Sequence, residues 1–118
     1  MEKIQIKNME EPDEIRSLPK TRIEVVKHGE HTIMRTTFDP GWKWSECVKP
    51  TVGTSSCQAP HLLYAISGRM MVKMDDGTQT EIEAGQTALI PPGHDAWVLG
   101  NEPCVAVDFT AGKTYGKK

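Results

Sequence analysis

Residues 85–97 read GQTALIPPGHDAW, two apolar runs separated by a Pro-Pro-Gly turn. The first run is TALI at 87–90, and the second is AWVL at 96–99. Both runs are short and bounded by turn residues, which is typical of β-strands. The stretch therefore predicts two strands on either side of a tight corner, with His94 next to that corner.

The segments around this stretch repeat the same pattern. Residues 69–85, RMMVKMDDGTQTEIEAG, alternate polar and apolar side chains around Asp76 and Gly77, a strong hairpin-turn signal. Residues 22–38, RIEVVKHGEHTIMRTTF, alternate in the same way, and CVAVDF at 104–109 adds a final strand. Many short strands at near-regular spacing predict an all-β antiparallel sandwich or barrel.

The helical signal is weak. Residues 11–18, EPDEIRSL, carry acidic side chains where the first turn of a helix would lie, but the segment is too short for a stable helix. We expect no more than a surface turn there. No repeat, low-complexity tract or linker interrupts the chain, and 118 residues fit a single domain.

Composition disfavours several classes of partner and location. The formal net charge is -2, from 14 Lys and Arg against 16 Asp and Glu, so we expect neither nucleic acid nor a membrane surface as a partner. The first thirty residues are charged and lack the apolar run of a secretion signal. Three irregularly spaced cysteines without a CxxC pair indicate reduced thiols rather than a disulfide framework or a zinc ribbon. We expect a soluble cytoplasmic protein.

The glycine and proline spacing is more specific. Gly68 is followed after sixteen residues by Gly85, and five further residues separate Gly85 from Pro91 and then Gly93. This framework resembles the cupin superfamily over roughly residues 38–110. The resemblance implies an antiparallel double-stranded β-helix, or jelly-roll, barrel that is open at one end, holds its site inside and often forms a homodimer.

The resemblance also implies a domain layout. We expect one cupin domain over 1–118, with a core barrel at about 22–110, an N-terminal extension at 1–21 and a C-terminal tail at 111–118. The motifs GWKWSECVKP, SCQAPH and PPGHDAW further resemble a subgroup of small single-domain cupins that also occur beside signalling domains. Membership of that subgroup implies a fold and little about function.

The usual cupin ligands are absent from their positions. The first cupin motif holds two histidines and an acid, and the second motif holds one histidine. In this chain the corresponding positions are Ser55, Cys57, His61 and Ala96.

A different set of ligands is available nearby. On an unbroken strand Cys57 and His61 would lie about 13 Å apart, too far to share a metal ion. Pro60 favours a turn between them, which allows their side chains to converge. His94 and Ala96 are two residues apart and share a face of an extended strand. His94 can therefore reach the site from a position two residues before the usual histidine position at Ala96. We therefore predict a metal site of Cys57, His61 and His94.

One thiolate and two imidazoles leave a fourth position open, as in catalytic zinc sites. Sulfur disfavours magnesium and calcium, so zinc is the favoured divalent transition metal, with iron, nickel or copper as alternatives. Glu46 is a candidate fourth ligand or general base. Trp42 and Trp44, on one face of a predicted strand, would line a substrate pocket together with Ser55 and Ala96.

Each of these residues also has a structural interpretation. Cys57 is equally typical of a buried apolar filler, His61 of a hydrogen-bonded wall residue, and His94 of a side chain that caps a turn. Two functions follow: a metal-dependent enzyme acting on a small polar organic molecule, or a metal-free module that binds or senses such a molecule. A purely structural dimer with a filled barrel is disfavoured, because the ligand positions hold small or polar residues.

Overall fold

The computed structural model describes residues 3–117, which form nine strands and two short helices. All strand pairs are antiparallel. The larger sheet has the order β1-β2-β3-β9-β4-β7. Its strands are β1 (Glu14–Leu18), β2 (Thr21–His28), β3 (His31–Phe38), β4 (His61–Ser67), β7 (Thr87–Ile90) and β9 (Cys104–Asp108).

The smaller sheet has the order β6-β5-β8 and packs its buried residues into the same core. Between β3 and β4 the chain forms two helices of four residues each. Among the described residues, neither helix is long and apolar enough to cross a membrane. The elements are β5 (Arg69–Met74), β6 (Gln79–Glu83), β8 (His94–Leu99), α1 (Trp44–Cys47) and α2 (Lys49–Val52). The all-β antiparallel fold predicted from alternating side chains is confirmed.

Alternation along β4 shows how the sheet separates the core from the surface. His61, Leu63 and Ala65 are buried, whereas Leu62 and Tyr64 between them are exposed. Successive side chains of a strand point to opposite faces, so one face of β4 forms part of the core. His61 therefore enters the core because it shares the inward face with apolar neighbours.

Two glycines of the predicted framework are required by the backbone. Gly68, between β4 and β5, has a φ of 77°, and a Cβ there would overlap the carbonyl oxygen of Pro103. Gly93 has a φ of 93°, and a Cβ there would lie 2.9 Å from Oδ2 of Asp75. L-amino acids with a side chain rarely adopt these φ values. Glycine therefore allows the chain to leave β4 and to enter β8.

The segment at 11–18 is not a surface turn. Its residues 14–18 form β1, which pairs along its whole length with β2. Arg16 of β1 is buried, and its guanidinium donates to the carbonyl oxygens of Tyr115 at 2.6 Å and of Gly112 at 2.7 Å. Pairing with a neighbouring strand outweighs the weak local helical preference.

Arg16 also links β1 to the C-terminal segment, residues 111–117. Ala111 and Tyr115 of this segment are both buried in the core. Residues on both sides of 22–110 therefore contribute to the sheet and the core, and the division into barrel, extension and tail stays a prediction.

Candidate metal centre

The backbone brings Cys57 and His94 together directly. Cys57 forms an isolated antiparallel bridge with His94, the first residue of β8. The amide of Cys57 donates to the carbonyl oxygen of His94 at 2.7 Å, and the amide of Gly93 donates to the carbonyl oxygen of Cys57 at 2.7 Å. An irregular segment at 58–60, rather than the predicted turn at Pro60, connects Cys57 to β4, which begins at His61. Cys57 and His61 therefore do not lie on one unbroken strand.

The three side chains converge within the core. Cys57 Sγ lies 3.8 Å from His61 Nε2, and one donor atom from each of Cys57, His61 and His94 lies within 4.8 Å of the others. Two ligands of a tetrahedral zinc ion are about 3.3 to 3.6 Å apart when their bonds are about 2.0 to 2.3 Å long. Small side-chain movements would therefore close this group around a metal ion.

Hydrogen bonds fix which nitrogen each histidine offers. Nδ1 of His61 lies 2.5 Å from Oδ2 of Asp108, and Nδ1 of His94 lies 2.9 Å from the carbonyl oxygen of Pro91. A carbonyl oxygen and a carboxylate only accept, so both Nδ1 atoms donate. Each histidine is left with Nε2 for a ligand, which is the usual arrangement of metal-binding histidines.

The charges of Cys57 and His61 are coupled. Burial opposes thiolate formation, but hydrogen bonds from His61 and His94 outweigh it and lower the pKa of Cys57 to about 6. Burial likewise opposes protonation of His61, but its bonds to Asp108 and Cys57 raise its pKa to about 9. Without a metal ion, both shifts favour a thiolate at Cys57 and a protonated ring at His61.

Two spaces meet at this group. A core cavity of about 40 Å³ is lined by His61, His94 and mostly apolar side chains. A groove of about 280 Å³ is lined by Cys57 and by residues of α2, the irregular segment at 58–60 and the C-terminal segment. Trp44 and Tyr115 line both spaces, and the Tyr115 ring packs edge-on against His61 with centroids 5.3 Å apart. The donor atoms thus lie between a small interior cavity and a larger open groove.

Three of the predicted pocket residues line the core cavity: Trp42, Trp44 and Ala96. The two tryptophans do not share a strand face, because Trp42 lies in a turn and Trp44 begins α1. Trp42 is anchored by stacking on Phe38 with centroids 3.8 Å apart.

Two predicted residues lie elsewhere. Ser55 and Glu46 are exposed, Glu46 on the outer side of α1. Within residues 3–117, neither of them lines the core cavity or the groove beside Cys57. The neighbouring Ser56 is buried instead, and its hydroxyl donates to Asp75.

Sequence reasoning missed Asp108 and Tyr115. Asp108 had a detectable signal, because Cys104, Ala106 and Asp108 share the inward face of β9, where an acid must find a partner. Tyr115 had none, since its position depends on the contact between the C-terminal segment and Arg16.

Comparison with known proteins gave matches among solved structures alone. No protein-family model and no curated protein matches the chain. A protein of unknown function from Rhizobium leguminosarum aligns with a TM-score of 0.66 and 18% identity, over 92% of this chain and 97% of that chain. A polyketide cyclase from Streptomyces resistomycificus aligns with a TM-score of 0.65 and 15% identity, over 92% and 79%. A cupin-like protein from Thermotoga maritima aligns with a TM-score of 0.54 and 14% identity, over 78% and 68%.

At such identities the likeness establishes the fold and no activity. The cupin-type antiparallel fold predicted from the glycine and proline spacing is confirmed. The finer resemblance to a subgroup of small cupins stays a prediction.

Proposed function

We propose that this chain is a member of the cupin superfamily that binds a transition metal ion through Cys57, His61 and His94, and that acts on or binds a small polar organic molecule. One observation carries the proposal: three buried donor atoms within 4.8 Å of one another, with both histidines offering Nε2. Buried histidines and cysteines whose donor atoms converge in this way are typical of metal ligands.

Zinc is the favoured ion. A thiolate and two imidazoles suit zinc, and they also suit iron, nickel or copper, whereas magnesium and calcium prefer oxygen ligands. When bound, the ion would supply Lewis acidity to a water molecule or to an oxygen of the substrate.

In this proposal, different residues hold the His61 ring, exclude water from the core cavity and admit the substrate. Asp108 holds the His61 ring, and the apolar side chains of the core cavity keep bulk water away from His61 and His94. The cavity of about 40 Å³ has room for about three water-sized molecules. A larger substrate therefore has to approach through the groove beside Cys57. The carboxylate that contacts the proposed metal ligands is that of Asp108, which binds His61, and not that of the exposed Glu46.

The experiment is a measurement of bound metal. The protein is purified without a metal-chelating tag, and metals per chain are measured for wild type, Cys57→Ser, His61→Ala and His94→Ala. His28→Ala, at the end of β2 outside the cluster, is the matched control. We expect wild type and His28→Ala to carry metal and the other three variants to lose it. Equal trace amounts in all five proteins would overturn the proposal.

The second candidate is a metal-free binding or sensing module. It is favoured by the groove, which combines apolar walls such as Val52 and Pro60 with polar groups such as Thr54 and Lys117. A thermal-shift screen with small acids and sugars, on metal-stripped protein, tests it. Ligand stabilisation without metal supports this candidate, and a flat response contradicts it.

We further propose that the protein forms a homodimer through the outer face of β9, β4 and β7. Leu62, Tyr64 and Ile66 of β4 are exposed there, and Leu62 lies opposite Leu89 of β7, which is 78% exposed. The outward strand positions on these three strands carry no charge, so two copies of the face do not repel each other. Contiguous exposed apolar faces of this kind are typical of subunit interfaces.

We also propose that the protein is cytoplasmic. The three free, buried cysteines support this location, because thiols remain reduced in that compartment.

A further inference from the structure

The three cysteines have different surroundings, although all are free and buried. Cys104 packs among apolar residues of β9 and its neighbours, and Cys47 lies in α1 on the core. Cys57 alone belongs to the histidine cluster found within residues 3–117. We infer that Cys57 is a nucleophilic thiol that small hydroperoxides oxidise selectively.

The geometry around Cys57 has the parts of an activated nucleophile. Its Sγ lies 3.8 Å from Nε2 of His61, close enough for the imidazole to take the thiol proton. Nδ1 of His61 is held at 2.5 Å by Asp108, which keeps the ring in place and stabilises its protonated form. A nucleophile, a base and a group that orients the base are the recurring elements of covalent catalysis by cysteine.

The groove beside Cys57 provides access. Cys57 is only 3% exposed, but it lines a space of about 280 Å³ between α2, the irregular segment at 58–60 and the C-terminal segment. A hydroperoxide group is little larger than water, so it fits this space. Within residues 3–117, Cys104 lines neither this groove nor the core cavity.

The reaction balances with one hydroperoxide per thiol. The Cys57 thiolate attacks the terminal, hydrogen-bearing oxygen, an S–O bond forms and the O–O bond breaks. Sulfur is oxidised by two electrons to the sulfenic acid, and the other oxygen leaves as an alkoxide or hydroxide. That oxygen takes a proton from Nε2 of protonated His61, giving an alcohol or water. The imidazole returns to its neutral form.

Metal binding and oxidation then exclude each other. A metal ion that uses the Cys57 thiolate as a ligand shields the sulfur from the peroxide, and a sulfenic acid no longer offers that thiolate. This part of the inference rests on the proposed function, whereas the reactivity of the thiol in metal-free protein does not.

The test uses the full chain after chelation and removal of the chelator. Hydrogen peroxide is added in the presence of dimedone, which traps sulfenic acids, and labelling of each cysteine is followed by peptide mass spectrometry. We expect Cys57 to be labelled at least about tenfold faster than Cys47 and Cys104. Equal rates, or a faster rate at either other cysteine, would overturn the inference.

Two pairs of variants test separately whether His61 and the groove are needed for labelling of Cys57 in that assay. His61→Gln removes the base and should slow labelling of Cys57, whereas His28→Ala should not. Val52→Trp narrows the groove and should also slow labelling, whereas Thr80→Trp, which lines a different groove between β5 and β7, should not. Wild-type rates for both control variants and slow rates for the other two support the inference, and unchanged rates in all four contradict it.

Preloading with zinc distinguishes this inference from the proposed function. Protection of Cys57 by zinc supports both. If zinc does not alter the selective labelling of Cys57, the result supports the nucleophilic thiol. It overturns the claim that metal binding prevents oxidation of Cys57.

Discussion

Asp108 Oδ2 lies 2.5 Å from Nδ1 of His61, and both side chains are buried. The other carboxylate oxygen accepts the amides of Thr110 at 2.9 Å and of Ala111 at 3.0 Å. The backbone after β9 therefore fixes the carboxylate, and the carboxylate fixes the imidazole. Through this chain of contacts, the end of β9 sets the direction of a side chain on β4.

Replacing that carboxylate should weaken metal binding without unfolding the domain. Asp108→Asn keeps the shape but removes the charge that orients His61, and we expect zinc affinity to fall about 10- to 100-fold. Competition with a chelating dye measures the affinity, and the visible bands of cobalt-substituted protein report the change in ligand geometry. Asp95→Asn is the matched control, because the Asp95 side chain accepts the amides of Ser45 and Ala96 and, within residues 3–117, has no hydrogen bond to the ring of His61 or His94. Equal affinities in the two variants would contradict this role of Asp108.

The pH dependence of alkylation tests the state of Cys57 in metal-free protein. Its pKa is lowered to about 6, so the reactive thiolate is protonated below that pH and present above it. The rate of Cys57 alkylation by iodoacetamide should therefore rise to a plateau with a midpoint near pH 6. Burial raises the pKa of Cys104 to about 11, so this thiol serves as the internal control and should stay slow at neutral pH. His61→Gln should move the Cys57 midpoint up toward about 8.5 or above. A wild-type midpoint already in that range would refute the ion pair.

Zinc affinity should depend on pH in two steps. Binding requires a thiolate at Cys57 and a neutral ring at His61, and the pKa values of about 6 and about 9 separate these requirements. Of these two ligands, only His61 must lose a proton between pH 9 and pH 6, so its contribution should lower the affinity about tenfold per pH unit as pH falls. Below pH 6 Cys57 is protonated as well, and the fall should approach about a hundredfold per unit. Calorimetry in buffers of different ionisation enthalpy counts the released protons, and a pH-independent affinity would exclude these two residues as ligands.

The sequence predicts the parts of the site that depend on short-range geometry. The hairpins at 22–38 and 69–85 are visible because strand alternation and turn residues are local signals. The approach of Cys57 and His61 was predicted through a turn at Pro60, whereas the structure joins them by an irregular segment at 58–60. The choice among ligands follows from the chemistry of sulfur and imidazole.

Features that depend on contacts between distant segments were missed. β1 is a strand because β2 offers it a partner edge, and its own residues favour a turn. Trp42 and Trp44 do not share a strand face, because α1 begins at Trp44 where a strand was expected. The same helix leaves Glu46 exposed. Tyr115 reaches His61 because Arg16, 99 residues earlier in the chain, binds its carbonyl oxygen.

Arg16 should therefore contribute much more to stability than an exposed arginine. Arg16→Met removes two buried hydrogen bonds from a charged group to Gly112 and Tyr115, and we expect the free energy of unfolding to drop by about 2 to 4 kcal/mol. Arg69→Met is the control, because the ion pair of Arg69 with Glu81 is half exposed and should contribute less than about 1 kcal/mol. Urea unfolding followed by tryptophan fluorescence measures both. Similar losses in the two variants would show that the C-terminal segment does not depend on Arg16.

A charge on the outer face of β4 should separate the proposed dimer. Leu62→Asp places a carboxylate directly opposite Leu89, in the middle of the apolar face, where a second copy would bury it without a partner. We expect wild type to sediment as a dimer and Leu62→Asp as a monomer in analytical ultracentrifugation. Ile15→Asp is the matched control, since Ile15 is similarly exposed, at 49% against 44%, but lies on β1 at the opposite edge of the sheet. A dimer that Ile15→Asp disrupts and Leu62→Asp does not would place the interface at β1. A wild-type protein that sediments as a monomer would contradict the proposed dimer.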